Sequence, residues 1–167
     1  AENLAYLPAV YPSSSGSYDE PRYCVYNYQG ADVAAAKNNA NYTTYGVLYN
    51  WPAAKVVCPP GWHLPSDDEW KQLEMALGMT QAQADAIDWR GTDQGTQMKA
   101  TSGWANNGNG TNISGFSGLP GGYSYDSFDG IGYEGHWWGS TKTSYAYDWW
   151  TRDLTYGSSN VGRYDNY

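Results

Sequence analysis

The sequence changes character at Trp89, and this change limits the folds open to the chain. Before Trp89, several segments carry helix-start signals; after it, Gly, Asn, Thr and Ser separate isolated apolar positions, which is typical of loops and short strands. Helices in the first half followed by an antiparallel meander predict an α+β domain in which the helices are segregated from the sheet. At 167 residues the chain fits one domain over residues 1–167.

The most strongly predicted element is a helix over residues 67–77. Ser66 and Glu69 stand at the spacing of a capping box, in which each side chain accepts a hydrogen bond from the other residue's backbone amide. Apolar residues then recur on one helical face. The same signal at Thr80 predicts a second, shorter helix near residues 81–87. We expect these two helices to pack on a small antiparallel sheet built from the second half.

Shorter elements are predicted from turn residues and alternating patterns. Asp32 could cap one helical turn, and Pro52 stands at a position suited to a helix start. The predicted strands lie at residues 22–26, 45–50, 115–119, 135–140, 147–155 and 160–164. In the strand at 147–155, alternate residues must face opposite sides of the sheet. We expect one side, with Arg152, to face the core and the other, with Asp153, to be available for binding.

Charge and hydropathy exclude two classes of partner. The chain has 9 Lys and Arg residues against 17 Asp and Glu residues, a formal charge of -8, so it lacks a basic stripe for phosphates. We therefore expect no nucleic-acid partner. No apolar run is long enough to span a bilayer, so direct membrane insertion is not expected either. The sequence does not specify an oligomeric state.

The cysteine and histidine pattern does not indicate an enzyme. Cys24 and Cys58 lack zinc-ligand spacing, and either a disulfide between them or two buried thiols would fit. His63 and His136 are interpreted as hydrogen-bonded structural residues, and HExxH and GxSxG motifs are absent. No catalytic residue, metal ligand or cofactor is predicted. One calcium alternative stays open, at a loop over residues 126–129 together with Glu134.

An ordered set of motifs runs along the chain and carries a family resemblance. The set includes Cys58-Pro-Pro-Gly-Trp-His-Leu-Pro-Ser-Asp-Asp-Glu-Trp70, Trp89-Arg-Gly-Thr-Asp-Gln-Gly95, Met98-Lys-Ala-Thr-Ser-Gly-Trp104, Gly135-His-Trp-Trp-Gly-Ser-Thr141 and Trp150-Thr-Arg-Asp-Leu154. It resembles the Fibrobacter succinogenes major paralogous domain family, found in secreted and surface proteins of Bacteroidetes. The resemblance implies a C-type lectin-like fold and an extracellular or cell-surface location. Trp residues expected in the core or scaffold are Trp62, Trp70, Trp104, Trp137, Trp138 and Trp150.

Two further expectations follow from the resemblance. Family members usually continue into a closing strand with a cysteine, whereas this sequence stops at Tyr167. The resemblance thus implies a domain lacking that strand, and a missing cysteine is an alternative partner for Cys58. Domains of this fold also serve as variable proteins of diversity-generating retroelements, whose mutagenesis favours Asn, Ser, Tyr, Asp and Gly. The last third has such a composition, but an ordinary family member would fit it as well.

The last third of the chain has the composition of a recognition surface. Tyr and Trp offer large contact area at little entropic cost, while Ser, Asn and Asp supply adaptable hydrogen bonds. The predicted ligand-binding residues are Tyr145, Tyr147, Asp148, Trp149, Thr151, Asp153, Ser158, Asn160, Tyr164, Asp165 and Asn166. The expected function is a receptor- or adhesin-type module for a protein or glycan ligand. The alternative is a structural or assembly module of a larger exported surface protein.

Overall fold

A computed structural model describes residues 3–145 and 148–166, and within these ranges the chain forms six helices and eight strands. The helices are α1 (Val33–Lys37), α2 (Ala40–Tyr45), α3 (Trp51–Ala54), α4 (Asp67–Ala76), α5 (Gln81–Asp85) and α6 (Gln94–Met98). The strands are β1 (Tyr23–Cys24), β2 (Leu48–Tyr49), β3 (Asp88–Arg90), β4 (Gly121–Tyr125), β5 (Ser127–Ile131), β6 (Glu134–Lys142), β7 (Trp149–Thr155) and β8 (Val161–Asn166). The expected separation of early helices from late antiparallel strands is confirmed. The prediction of two helices packed on the sheet was too low, because the described residues form six helices.

The helix termini follow the predicted capping chemistry. Ser66 Oγ accepts from the Glu69 amide at 3.2 Å, and Glu69 Oε2 accepts from the Ser66 amide at 2.8 Å. The resulting α4 ends one residue before the predicted end at residue 77. Thr80 begins α5 through the same reciprocal bonds, and α5 ends two residues before the expected end. Asp32 caps α1 as predicted.

Four antiparallel strands form the main sheet, in the order β3-β8-β7-β6. This confirms the strands expected at 135–140 and 160–164, and it confirms the strand expected at 147–155 over residues 149–155. The strand expected at 115–119 is wrong, because Asn112 bonds both the amide and hydroxyl of Ser117 and holds a turn, leaving only an isolated bridge at Gly118. The strand expected at 45–50 is reduced to β2, since Tyr45 ends α2.

The buried apolar side chains form two hydrophobic cores. The first core joins α1, α3, β1 and the N-terminal loops through Leu7, Val10, Tyr23, Val25, Ala36, Val47, Ala53 and Val57. The second core lies between α4, α6 and the main sheet and contains Trp70, Met79, Ala84, Met98, Trp104, Leu154 and Val161. Trp62, one of the Trp residues expected in the core or scaffold, is 76% exposed in the loop before α4 and so lies outside both cores.

The inner face of the main sheet meets α4 through buried ion pairs. Arg152 Nε lies 2.6 Å from Glu74 Oε1, and Arg152 Nη2 lies 2.9 Å from Asp67 Oδ1. Arg163 pairs with Asp67 at 2.8 Å, and Arg90 pairs with Glu74 at 2.6 Å. One strand residue from each of β3, β7 and β8 is thus tied to one helix. Because buried charges require such partners, the network fixes α4 on this face.

Part of the outer face is covered by elements attached to the first core. The Trp51 and Trp149 rings stack with centroids 3.8 Å apart, and the Trp138 indole donates to the Tyr49 carbonyl at 2.8 Å. Thr151 pairs in register with Trp138 and is buried. The alternation predicted for β7 is present, but the expectation that Thr151 faces an open surface is wrong because this cover lies above it.

The two cysteines are free thiols. Cys24 is buried and Cys58 is half-buried, so of the alternatives the structure holds unbonded thiols rather than a disulfide between them. Burial raises the pKa of Cys24 above its ordinary value, although Ser124 and Arg22 oppose the rise. Both cysteines therefore lack the lowered pKa that makes a thiol nucleophilic, since burial raises the pKa of Cys58 as well.

No helix in the described ranges combines the length and the apolar character needed to cross a bilayer.

Candidate ligand-binding groove

The uncovered half of the outer face forms an open groove of about 430 Å³. Its floor is a row of four residues that pair in register across the whole sheet. The row runs from His136 on β6 through Asp153 on β7 and Gly162 on β8 to Trp89 on β3. Since the floor belongs to four hydrogen-bonded strands backed by the second core, the groove is a pre-formed part of the scaffold.

One aromatic side chain lines an end of the groove, and a second ring packs against it. Trp89 is 41% exposed, and Tyr164 meets it edge to face with ring centroids 6.1 Å apart. Gly162 permits this contact, because a Cβ there would lie 2.8 Å from the Tyr164 ring. Trp89 follows Asp88, whose positive φ of 69° turns the chain into the short strand β3. The two rings offer an apolar wall to a ligand.

Two carboxylates and one imidazole form the other end. His136 Nδ1 lies 3.0 Å from Asp153 Oδ1, and His136 Nε2 lies 3.3 Å from Glu134 Oε2. Both ring nitrogens face acceptors, an arrangement that only the doubly protonated ring satisfies. Burial lowers the pKa of His136, but Asp153 and Glu134 outweigh it, and the net pKa lies above the usual value. The Tyr123 ring packs edge-on against the His136 ring, with ring centroids 5.4 Å apart.

Asp153 is the least solvated acid of the groove. It is 8% exposed, and its Oδ1 has no hydrogen-bond partner among the described residues despite the nearby imidazole. The contact with His136 is thus an ion pair with poor hydrogen-bond alignment. A buried carboxylate oxygen without an aligned donor is costly, and because this atom is enclosed 3.0 Å from His136 Nδ1, a donor from outside the protein reaches it only when the imidazole moves aside.

Two of the residues predicted to bind ligand line the groove, and a third lies at its border. Asp153 and Ser158 line it directly, and Tyr164 borders it over Gly162. Ser158 is half-buried and its hydroxyl accepts from the Asn160 amide at 3.0 Å. Asp153, Ser158 and Tyr164 all belong to the last third of the chain, whose composition predicted a recognition surface. The fold places these three residues at or beside the groove.

The other predicted residues do not gather at this groove. Trp149 and Thr151 belong to the covered part of the face, and the Asn160 carbonyl lies against Gly95 of α6. Tyr145 and Asp165 are exposed, while the Asp148 carbonyl accepts from the Thr143 amide at 2.9 Å. Tyr147 falls outside the described residues. Asn166 pairs with Trp149 through its backbone, and its side chain is likewise outside the described part.

The groove residues missed from the sequence include Trp89 and His136, and Glu134 was considered only as a calcium ligand. Their meeting depends on β3 pairing with β8 at one edge and β6 pairing with β7 at the other, which no local pattern reveals. Strand alternation from Asp153 could have found one of them, since the residue opposite in β6 is His136. His136 is hydrogen-bonded to Glu134 as the sequence interpretation expected, but its place opposite Asp153 in the groove was not foreseen.

The acidic segment considered for calcium is part of a hairpin. Asp126 forms the turn between β4 and β5, and Asp129 lies in β5, where Oδ1 accepts from the Gly130 amide at 2.7 Å. Glu134 instead faces His136. Within residues 3–145 and 148–166, no group of three His, Cys, Asp or Glu side chains is placed to hold a metal ion.

The fold and groove define a mixed α/β domain with an antiparallel sheet that carries a ligand-sized depression. The chain belongs to the family described as Fibrobacter succinogenes major domain, whose sequence model matches residues 1–163. This confirms the resemblance carried by the motifs. Comparisons with curated proteins and with solved structures found no significant match.

Proposed function

We propose that this domain has a C-type lectin-like fold and serves as an exported, cell-surface or secreted module that binds a protein or glycan ligand in the outer groove. The observation that carries the proposal is the row from His136 to Trp89, which combines exposed aromatic rings with under-solvated polar groups on a rigid floor. Sites for ligands are typically concave, with aromatic walls and a few convergent polar groups. The family membership and the segregation of helices from an antiparallel sheet support the fold.

The chemistry of the groove suits recognition. Trp89 and Tyr164 supply contact area with little rotamer entropy to lose, and Ser158 and Asp153 supply directed polar contacts. Aromatic side chains of this type dominate the energy of binding surfaces. Neither free thiol has the lowered pKa of a nucleophile, and both ring nitrogens of His136 face carboxylates. These features favour binding over catalysis.

The experiment that tests the proposal is binding of the purified domain to an array of glycans and bacterial surface proteins, with and without a chelator. The groove variant is Trp89→Ala with Tyr164→Ala. Its matched control is Trp62→Ala, which removes an exposed indole from the loop before α4. We expect the groove variant to lose at least tenfold in affinity, because each aromatic anchor contributes about 1–2 kcal/mol or more.

Equal binding by the groove variant and the control would refute the groove as the site. A domain that binds nothing on the array but self-associates with concentration would favour the alternative, a structural or assembly module. Chelator sensitivity would indicate that a metal ion takes part. Circular dichroism of each variant establishes that a loss of binding is not a loss of fold.

A further inference from the structure

We propose that the groove receives a lysine or arginine side chain of a protein partner, whose cationic group takes the place of the His136 imidazole between Asp153 and Glu134 and whose stem lies toward Trp89. This inference rests on the proposed function and names the ligand chemistry of the same site. It starts from an imbalance of charge: two carboxylates face one imidazole. Among the described residues, His136 is the only cationic group in ion-pair contact with either acid.

Asp153 is the residue that most requires such a partner. Its Oδ1 is buried without a hydrogen-bond donor, and His136 neutralises it only while the imidazole is protonated. An ammonium or guanidinium group that displaces the imidazole would bring both a donor and a permanent charge to this oxygen. A neutral sugar hydroxyl would supply the donor alone. The site therefore favours a cation over a neutral ligand.

The aromatic wall fits the same ligand. Cations bind over the faces of Trp and Tyr, and the exposed indole of Trp89 lies in the same groove as the acids. The protein already uses this chemistry within its own fold, where the Arg163 guanidinium lies 3.4 Å from the Trp150 ring centre. A long, flexible side chain with an apolar stem and a charged end can satisfy the ring and the carboxylates at once.

Two observations favour a protein side chain over an amino sugar. The groove is open and about 430 Å³ in volume, which suits a single extended side chain reaching in from a larger surface. The surrounding Tyr, Ser and Asp residues have the composition of protein-recognition surfaces. The chain carries a net charge of -8, so a basic partner would also be attracted over longer distances.

His136 competes with the incoming cation. Facing its ring are Glu134 from the same strand, Asp153 from β7 and Tyr123 from β4, with Tyr164 of β8 near Asp153. When protonated, His136 occupies both carboxylates; when it loses its proton, both become available. Affinity for a lysine or arginine side chain should therefore rise with pH through the titration of His136.

The test is an NMR titration of the intact domain with Nα-acetyl-lysine amide and Nα-acetyl-arginine amide. The reporters are the Trp89 indole N–H and the His136 ring protons. Nα-acetyl-citrulline amide, which has the shape of the arginine probe without its charge, is the ligand control. We expect saturable shifts at both reporters with the cationic probes, with Kd on the order of millimolar for such small ligands, and none with citrulline.

Two isosteric variants make the test specific. Asp153→Asn should weaken binding of the arginine probe at least about tenfold, while Asp68→Asn removes the same charge from α4 on the opposite side of the sheet and should leave binding unchanged. The proton–nitrogen spectrum of each variant reports whether it is folded. A glucosamine oligomer that binds more tightly than either amino-acid probe would overturn the assignment to a protein side chain.

Failure of this inference can be told apart from failure of the proposed function. Equal shifts with citrulline and arginine, or no shift with either, would overturn the cation assignment. If an array ligand without a cationic group still shifts the Trp89 and His136 signals, the groove remains a binding site for another chemistry. If the array ligand shifts neither signal, the groove is not the binding site and the proposed function fails at this site.

Discussion

The ring of Tyr164 occupies the space that a side chain at position 162 would need. A Cβ added to Gly162 would lie 2.8 Å from Tyr164 Cε2 and 3.1 Å from the Asp153 Cβ. The glycine thus allows Tyr164 to lie back across its own strand and meet Trp89. The shape of the aromatic wall depends on the absence of a methyl group.

Gly162→Ala should therefore impair binding more than stability. The added methyl displaces the Tyr164 ring, which can turn, and meets the Asp153 Cβ at a tight 3.1 Å, so we expect ligand affinity to fall about tenfold and the unfolding free energy to change by less than about 1.5 kcal/mol. Gly16→Ala is the control, because a Cβ at Gly16 meets nothing within 4 Å. Titration with an array ligand and urea denaturation measure the two quantities. A large loss of stability without a loss of affinity would contradict the proposed role.

Glu74→Gln should strongly destabilise the domain. The carboxylate is fully buried and pairs with both Arg90 and Arg152, so its removal leaves two guanidinium groups without full compensation. Breaking such a buried pair costs about 3–5 kcal/mol. Glu20→Gln, on an exposed residue, should change stability by less than about 0.5 kcal/mol. Urea denaturation measures the unfolding free energy of both variants. Similar losses of stability in Glu74→Gln and Glu20→Gln would contradict this prediction.

The contribution of Asp67 to the free energy of unfolding should be lost in acid. Burial raises its pKa, but Arg163, Arg152 and Lys71 outweigh burial and hold the pKa well below the usual range. A carboxylate with a depressed pKa stabilises the fold above its unfolded pKa of about 4, and this contribution falls as pH drops toward the folded value. Asp67→Asn should thus be much less stable than wild type at pH 7, with the difference shrinking below about pH 4. A difference in unfolding free energy that stays constant with pH would contradict this.

The contribution of His136 to folding stability should have the opposite pH dependence. Its raised pKa means that it stabilises the folded state below its unfolded value of about 6.5, and that this stabilisation disappears as pH rises through the folded pKa. An NMR titration of the ring should give a pKa above 6.5. Asp153→Asn should lower that pKa, while Asp68→Asn should leave it unchanged. A ring that titrates at the same pH in all three proteins would rule out the ion pair.

Gly95→Ala should destabilise the domain even though Ala is the better helix former. In a free helix the change would favour folding by about 1 kcal/mol. Here the added Cβ would meet the backbone carbonyl of Asn160, which cannot move as a side chain can. We expect a net loss of about 1–3 kcal/mol in thermal or urea unfolding. Gly16→Ala is again the control, and a stabilised Gly95→Ala would show that α6 is free to shift.

The parts of the fold that were predictable depend on contacts close in sequence. The start of α4 follows from Ser66 and Glu69, three residues apart, and the alternation in β7 follows from the strand itself. The β4–β5 hairpin was missed because its turn residue Asp126 and the acids around it suggested a polar loop. The family resemblance supplied the overall class, and the motifs behind it span nearly the whole chain.

The groove could be predicted only in part. Composition found Asp153, Ser158 and Tyr164, since they lie in the Tyr-, Ser- and Asp-rich last third. It could not find Trp89 or His136, because their proximity to Asp153 requires the strand order of the folded sheet. The same reasoning wrongly placed Thr151 on an open surface, because β2 and α3 cover it from the distant first core.

The stacked rings of Trp51 and Trp149, with centroids 3.8 Å apart and planes 17° apart, give the molecule an optical reporter of its own assembly. Two indoles at this separation share their electronic excitations, so their circular dichroism contains a coupled signal that neither ring produces alone. That signal would vanish if the elements attached to the first core separated from the sheet, even if every helix and strand persisted. The docking of the two halves can therefore be followed spectroscopically, without a label, while secondary structure is monitored independently.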